Sequence, residues 1–85
     1  MKNKKFRVFI VDMFSDGSGG GEAEEFDDIE SAMEYVNKQK ESTDKKEFEG
    51  YDWVFTKTYG ILYWTLGEYI LGQSLREISL EEVVE

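Results

Sequence analysis

The chain contains no cysteine, no histidine and no proline. Without cysteine, a disulfide staple, a thiolate metal site and a cysteine nucleophile are all excluded. Without histidine, the chain lacks the commonest general base, the commonest zinc ligand and the usual charge switch near neutral pH. Without proline, no turn is set by a ring and no cis peptide bond is expected. Positive charge is scarce and unevenly placed: no Lys or Arg lies between Val8 and Asn37. No apolar run approaches the length that spans a bilayer. The start, Met1-Lys2-Asn3-Lys4-Lys5, has the charge of a signal-peptide n-region. The run after it, Phe6–Phe14, is broken by Arg7 and Asp12 and carries no small-residue cleavage site, so it reads as a strand and a cytoplasmic protein is expected.

Negative charge is what the chain has in quantity. Nine carboxylates fall between Asp12 and Glu34: Asp12, Asp16, Glu22, Glu24, Glu25, Asp27, Asp28, Glu30 and Glu34. They equal the net charge of −9, so the rest of the chain cancels to zero. Such a charge favours solubility and repels anionic membranes and bare nucleic acid, so neither is expected as a direct partner. The 85 residues make one domain, 1–85. Thirteen aromatic residues supply large rings for its modest core.

Phe6 to Phe14 is β-branched and aromatic and predicts a strand. Phe6, Val8, Ile10 and Phe14 share one face, and Phe9, Val11 and Met13 the other. Both faces are apolar, which predicts a central strand covered on both sides or partly by a partner chain. Ser15 to Gly21 reads as a loop with a hairpin signal at Asp16-Gly17. Glu22 to Phe26 reads as a short return strand whose charge suits a sheet edge, with Ala23 and Glu25 facing one way. Asp27 with Glu30 fits a capping box, and Asp28 serves equally as a plain cap. Ile29, Ala32, Met33 and Val36 then recur at helical spacing, and the helix is expected to end near Glu41. Tyr51 to Tyr59 alternates as a strand, and Gly60 punctuates it. Ile61 to Leu66 reads as its hairpin partner, with a helix as the rival through Leu71, and Tyr69-Ile70-Leu71 as one more short strand. Ser74-x-x-Glu77 and Ser79-x-x-Glu82 are capping signals that predict a short C-terminal helical segment. The expected fold class is α+β: a small, mostly antiparallel sheet of three to four strands, one amphipathic helix packed on a face, and that terminal helical piece.

Each chemical reading has a plainer competitor. The glycine run Gly17-Ser18-Gly19-Gly20-Gly21 fits neither the P-loop nor the dinucleotide spacing, and the acids beside it repel phosphate. Asp12, Asp16 and Gly17 match positions one, five and six of a calcium loop, but Phe14 and Ala23 occupy the third and twelfth, where ligands belong. A weak divalent-metal site among Asp12, Asp16, Glu22 and Glu24 is therefore a third-ranked reading, and no metal or cofactor is assigned. Asp12, on an otherwise apolar face, is the best candidate for acid–base work, against a plain strand-end carboxylate. With no nucleophile motif, no enzyme activity is expected. Tyr51, Trp53, Phe55, Tyr59, Tyr63 and Trp64 could stack bases, but only Lys57 lies nearby to hold a backbone. The basic groups Lys2, Lys4, Lys5, Arg7, Lys38, Lys40, Lys45 and Lys46 read as solvated ends or partners for the acids.

The acidic block has two readings: a solubilising surface, or a set of carboxylates that imitates a phosphate backbone. The second gives a binding protein that occupies a basic surface of a partner protein, such as a nucleic-acid-handling protein, and inhibits or regulates it. The partner-binding residues would be Glu22, Glu24, Glu25, Asp27, Asp28, Glu30 and Glu34. In general profile the chain is similar to the small inhibitors that phages and mobile elements encode against host nucleases, a likeness of composition that carries no residue across. The alternative class is an assembly module, a homodimer or larger homo-oligomer joined through the apolar faces of Phe6–Phe14.

Overall fold

The computed structural model describes residues 4–14, 16–43, 45–68 and 74–84. Its elements in chain order are β1 (Lys4–Met13), β2 (Gly19–Phe26), α1 (Ile29–Ser42), a 3₁₀ turn (Lys45–Phe48), β3 (Val54–Thr58), β4 (Ile61–Gly67) and β5 (Leu75–Val84). The five strands form one antiparallel sheet in the order β2-β1-β5-β4-β3. The fold is therefore α+β as expected, but with five strands where three to four were expected. The molecule is elongated, 48 Å by 21 Å by 20 Å. A 14-residue helix is only about 21 Å long, so α1 covers only part of one sheet face.

Alternation along the strands sets which residues meet the helix. Val8 and Ile10 of β1, Ile78 and Leu80 of β5, and Trp64 of β4 point to the covered face and are buried with Ala32 and Val36 of α1. Phe6, Phe26, Met33, Tyr35, Trp53 and Leu62 pack around them. The opposite face of β1 is not covered: Val11 is 46 % and Met13 40 % exposed. Of the two alternatives expected for this strand, cover on both faces from within the chain is therefore not found, while β1 is an internal strand as expected, paired along both edges.

The C-terminal segment is the main correction. It forms no helix; β5 is a ten-residue strand at the centre of the sheet, between β1 and β4. The two Ser-x-x-Glu signals are real local preferences, worth about 1 kcal/mol each. Seating Ile78 and Leu80 in the core and completing ladders on both edges outweighs them. The strand reading of Ile61–Leu66 holds, and the rival helix does not form. The suggested strand at Tyr69-Ile70-Leu71 lies outside the described residues.

The connections follow local chemistry. At the β1–β2 tip, Asp16 accepts hydrogen bonds from the Ser18 amide (2.8 Å) and hydroxyl, and Gly17 takes a positive φ. Gly19 to Gly21 belong to β2 and not to the loop, because each pairs with a β1 residue. Asp28 caps α1, accepting from the Ser31 amide at 2.7 Å, and Thr43 closes it. The β3–β4 hairpin turns at Tyr59 (φ 51°) and Gly60 (φ 78°), the double positive φ of a type I′ turn. At Gly67 (φ 91°), a Cβ would lie 2.0 Å from the Ser74 carbonyl oxygen and 3.1 Å from the Phe48 ring, so only glycine fits.

Candidate functional site: the acidic flank of β2 and α1

The acidic block folds onto one end of the strand order. β2 is an outer strand, paired among the described residues only with β1, and α1 follows it directly and packs over β1 and β2. All seven predicted contact residues, Glu22, Glu24, Glu25, Asp27, Asp28, Glu30 and Glu34, are exposed. They do not form a single panel. Glu22 and Glu24 stand on the helix-covered face of β2, while Glu25 points to the open face by alternation. Ala23 shares that open face with Glu25, as expected.

Several of the acids are engaged by the chain itself. Arg7 sits directly across from Glu25 in the β1–β2 register and donates to its Oε1 from Nη2 at 2.8 Å and from Nε at 3.2 Å. The hydrogen bond from Arg7 holds the Glu25 carboxyl below its usual range, with the guanidinium's charge adding to the effect. Glu81 of β5 approaches Arg7 from the other side at 3.8 Å. Lys5 lies 3.9 Å from Asp27, and Lys38 lies 3.7 Å from Glu34, one helical turn away. Asp28 is occupied as the helix cap. Glu22 accepts from the Tyr35 hydroxyl at 3.2 Å. Burial first, then the charges of Glu22 and Glu24, push the Tyr35 hydroxyl above its ordinary value. Glu24 lies two residues from Glu22 on the same face of β2. Among the described residues, Glu24 and Glu30 have no ion-pair partner.

Asp12 belongs to a different arrangement. Its cross-strand partner on β5 is Arg76, whose Nε donates to one carboxylate oxygen and whose Nη2 donates to the other at 3.0 Å. The Arg76 Nη1 donates to the Thr43 hydroxyl at 2.8 Å, and that hydroxyl donates to the Gln39 carbonyl at 2.7 Å. The network joins β1, β5 and the end of α1. Both carboxylate oxygens are taken by the guanidinium, an arrangement that orients the two strands. Arg76 was not visible as a partner in the sequence. It is 64 residues from Asp12, and only the β1–β5 register brings the two together.

The remaining sequence candidates are dispersed. Among the described residues, no three carboxylates gather as a metal-ligating group, and Asp12, Asp16, Glu22 and Glu24 do not converge. An open depression of about 390 Å³ lies beyond the helix on β1 and β2, lined by Ile10, Asp12, Phe14, Ser18, Gly19–Gly21 and Glu22. The aromatic set splits: Trp64 is buried with Phe55 tilted against it at 5.5 Å, Trp53 packs on the core under Lys40, and Tyr59 stands 99 % exposed on its turn. No helix among the described residues is long and apolar enough to cross a membrane. No family model matches the chain, and neither the curated proteins nor the solved structures contain a match to it.

Proposed function

We propose that the chain is a non-enzymatic binding protein whose acidic flank occupies a basic surface of a partner protein and thereby inhibits or regulates it. The observation that carries this reading is the pairing state of the acids. Glu24 on the edge strand and Glu30 in the first turn of α1 are exposed and unmatched among the described residues. Glu22 beside Glu24 is held in place by a tyrosine and not by a cation. A fixed, unneutralised set of carboxylates raises association rates with a positive surface and makes binding sensitive to salt. Glu25 drops out of the contact set because Arg7 already neutralises it. Asp28 drops out as a test position because its charge reversal would also remove the helix cap. A nucleic-acid-binding groove is the kind of basic surface such a display would fit.

The test is a pull-down with wild type and the Glu24→Lys/Glu30→Lys double variant, at low and high salt, with the retained protein identified by mass. A basic protein held by wild type at low salt and lost by the double variant, at unchanged melting temperature, is the expected result. Equal retention by both would refute the reading. A second reading, self-association through the uncovered sheet face, draws on the exposed Val11 and Met13. Sedimentation equilibrium separates it: a dimer that survives dilution and high salt favours assembly.

A further inference from the structure

The hairpin geometry shows which backbone groups of β2 are unpaired. The Phe14 amide donates to the Ser18 carbonyl at 2.8 Å and the Gly17 amide to the Phe14 carbonyl at 3.0 Å, a bulged closure in which Phe14 and Ser18 hold the place of a hydrogen-bonded pair. Hydrogen-bonded and non-bonded pairs alternate along an antiparallel ladder. In the register that runs from Met13↔Gly19 to Phe6↔Phe26, Gly20, Glu22, Glu24 and Phe26 therefore bond inward to β1. Gly19, Gly21, Ala23 and Glu25 point their amides and carbonyls outward, where no strand among the described residues pairs with them. Three of these four residues have no side chain or only a methyl group, so this edge is sterically open.

Its two faces differ in chemistry. On the helix-covered face the edge carries Glu22 and Glu24, both exposed. On the open face, Gly21 and Gly19 leave Val11 and Met13, one strand in, without a side chain between them and the edge. A strand added outside β2 would lie about 10 Å from β1, a gap that a Phe or Leu can close over glycine. A second copy of this chain is a poor occupant: pairing two β2 edges about Glu22 sets Glu22 against Glu22, and like charges directly opposite destabilise a sheet.

We infer that the outer edge of β2 receives an extended peptide segment as a sixth strand, with Lys or Arg at the two alternate positions that face Glu22 and Glu24 and apolar residues at the positions that face Ala23, Gly21 and Gly19, the last two reaching over glycine onto Val11 and Met13. The inference rests on the acidic-flank reading and narrows it: the basic partner presents a strand of alternating basic and apolar residues, spanning about 23 Å over the seven positions from Gly19 to Glu25. The backbone supplies affinity, and the alternation supplies selectivity.

The test uses the full chain and a fluorescent peptide, Thr-Lys-Val-Lys-Phe-Thr-Phe, which laid antiparallel from Glu25 to Gly19 sets its lysines opposite Glu24 and Glu22, against the same composition reordered as Thr-Lys-Lys-Phe-Val-Phe-Thr. Anisotropy should show at least about tenfold tighter binding of the alternating peptide. Amide exchange at Gly19, Gly21, Ala23 and Glu25 should slow about tenfold on binding, with little change at Gly20, Glu22 and Glu24. Ala23→Pro removes an outward amide without touching the β1 ladder and should abolish peptide binding. If that variant fails to fold, the exchange pattern on the wild type decides alone. Equal binding of both peptides, binding without the alternating protection, or no binding overturns strand addition. Protection of the same amides that grows with protein concentration alone points to a second copy and also overturns it. The acidic-flank reading is judged separately by Glu24→Lys/Glu30→Lys: a basic partner lost by that variant but kept by Ala23→Pro upholds the flank and removes the strand.

Discussion

The Asp12–Arg76–Thr43 network gives the sharpest test of how the sheet and helix are joined. The Asp12 and Arg76 side chains are 19 % and 18 % exposed, so the pair is mostly, not fully, removed from water. Breaking a fully buried pair by deleting one partner costs about 3–5 kcal/mol, and exposed pairs contribute about 0–1 kcal/mol. The residual exposure places Asp12→Ala at about 2–3 kcal/mol. Arg76→Ala should cost a similar amount, because it strands the carboxylate and also removes the donor to Thr43. Thr43→Val should cost about 1 kcal/mol, since the Gln39 carbonyl and one guanidinium nitrogen lose a partner. The two alanine changes act on one contact, so the double variant should fall short of their summed cost by about 1–2 kcal/mol. A chain of this size loses about 1 kcal/mol of stability per molar urea, so each alanine change should lower the midpoint by about 2–3 M and Thr43→Val by about 1 M. Urea titrations followed by tryptophan fluorescence measure all of these quantities. Single variants within about 0.5 kcal/mol of wild type, or a coupling energy of zero, would refute the claim that this network ties β1 to β5 and α1.

Other outcomes follow from single sites. Tyr59→Asn creates the Asn-Gly pair that a type I′ turn prefers and should stabilise the chain by about 0.5–1 kcal/mol; destabilisation would show that the Tyr59 ring has a contact that its 99 % exposure denies. Gly67→Ala should destabilise by about 3 kcal/mol or more, since it combines a positive φ with a backbone clash at Ser74, and a normal melting curve would overturn that geometry. Acid should unfold the protein in part through Glu25 and Asp16, both held below the usual carboxylate range, by Arg7 and Ser18 respectively. The folded state binds fewer protons there, so their stabilisation is present above about pH 4.5 and is lost as pH falls through the folded values. Glu25→Gln should accordingly flatten the acid limb of a stability–pH curve. Tyr35 has the opposite sign: its raised value favours folding below about pH 10 and that preference disappears as pH climbs past the folded value, so Tyr35→Phe should blunt alkaline unfolding.

The helix was legible because its signals are local and agree. Asp28 caps it, Ala32 and Val36 repeat at helical spacing, and Glu34 precedes Lys38 by four. β1 and the β3–β4 hairpin were legible for the same reason, with β-branched alternation and a glycine at the turn. β5 was not, because its local signals oppose its fate: serine and glutamate at capping spacing favour a helix, and only two neighbouring strands make Ile78 and Leu80 a core pair. The glycine run was misread as loop because glycine is poor strand material by itself, and pairing with Val11, Asp12 and Met13 decides the matter. Of the candidate site, the exposure of the acids was readable from their charge. Their division between two faces was not, because it depends on the register that sets Arg7 across from Glu25.

The position of β5 has a consequence for how this chain can assemble. The β1–β2 and β3–β4 hairpins each close within a short stretch, yet among the described residues no ladder joins one to the other except through residues 75–84. Strand pairing between the two halves of the sheet therefore runs through β5 alone among the described residues. Folding should be slow for so small a chain, and a version cut before Leu75 should yield two frayed ribbons and not a smaller sheet.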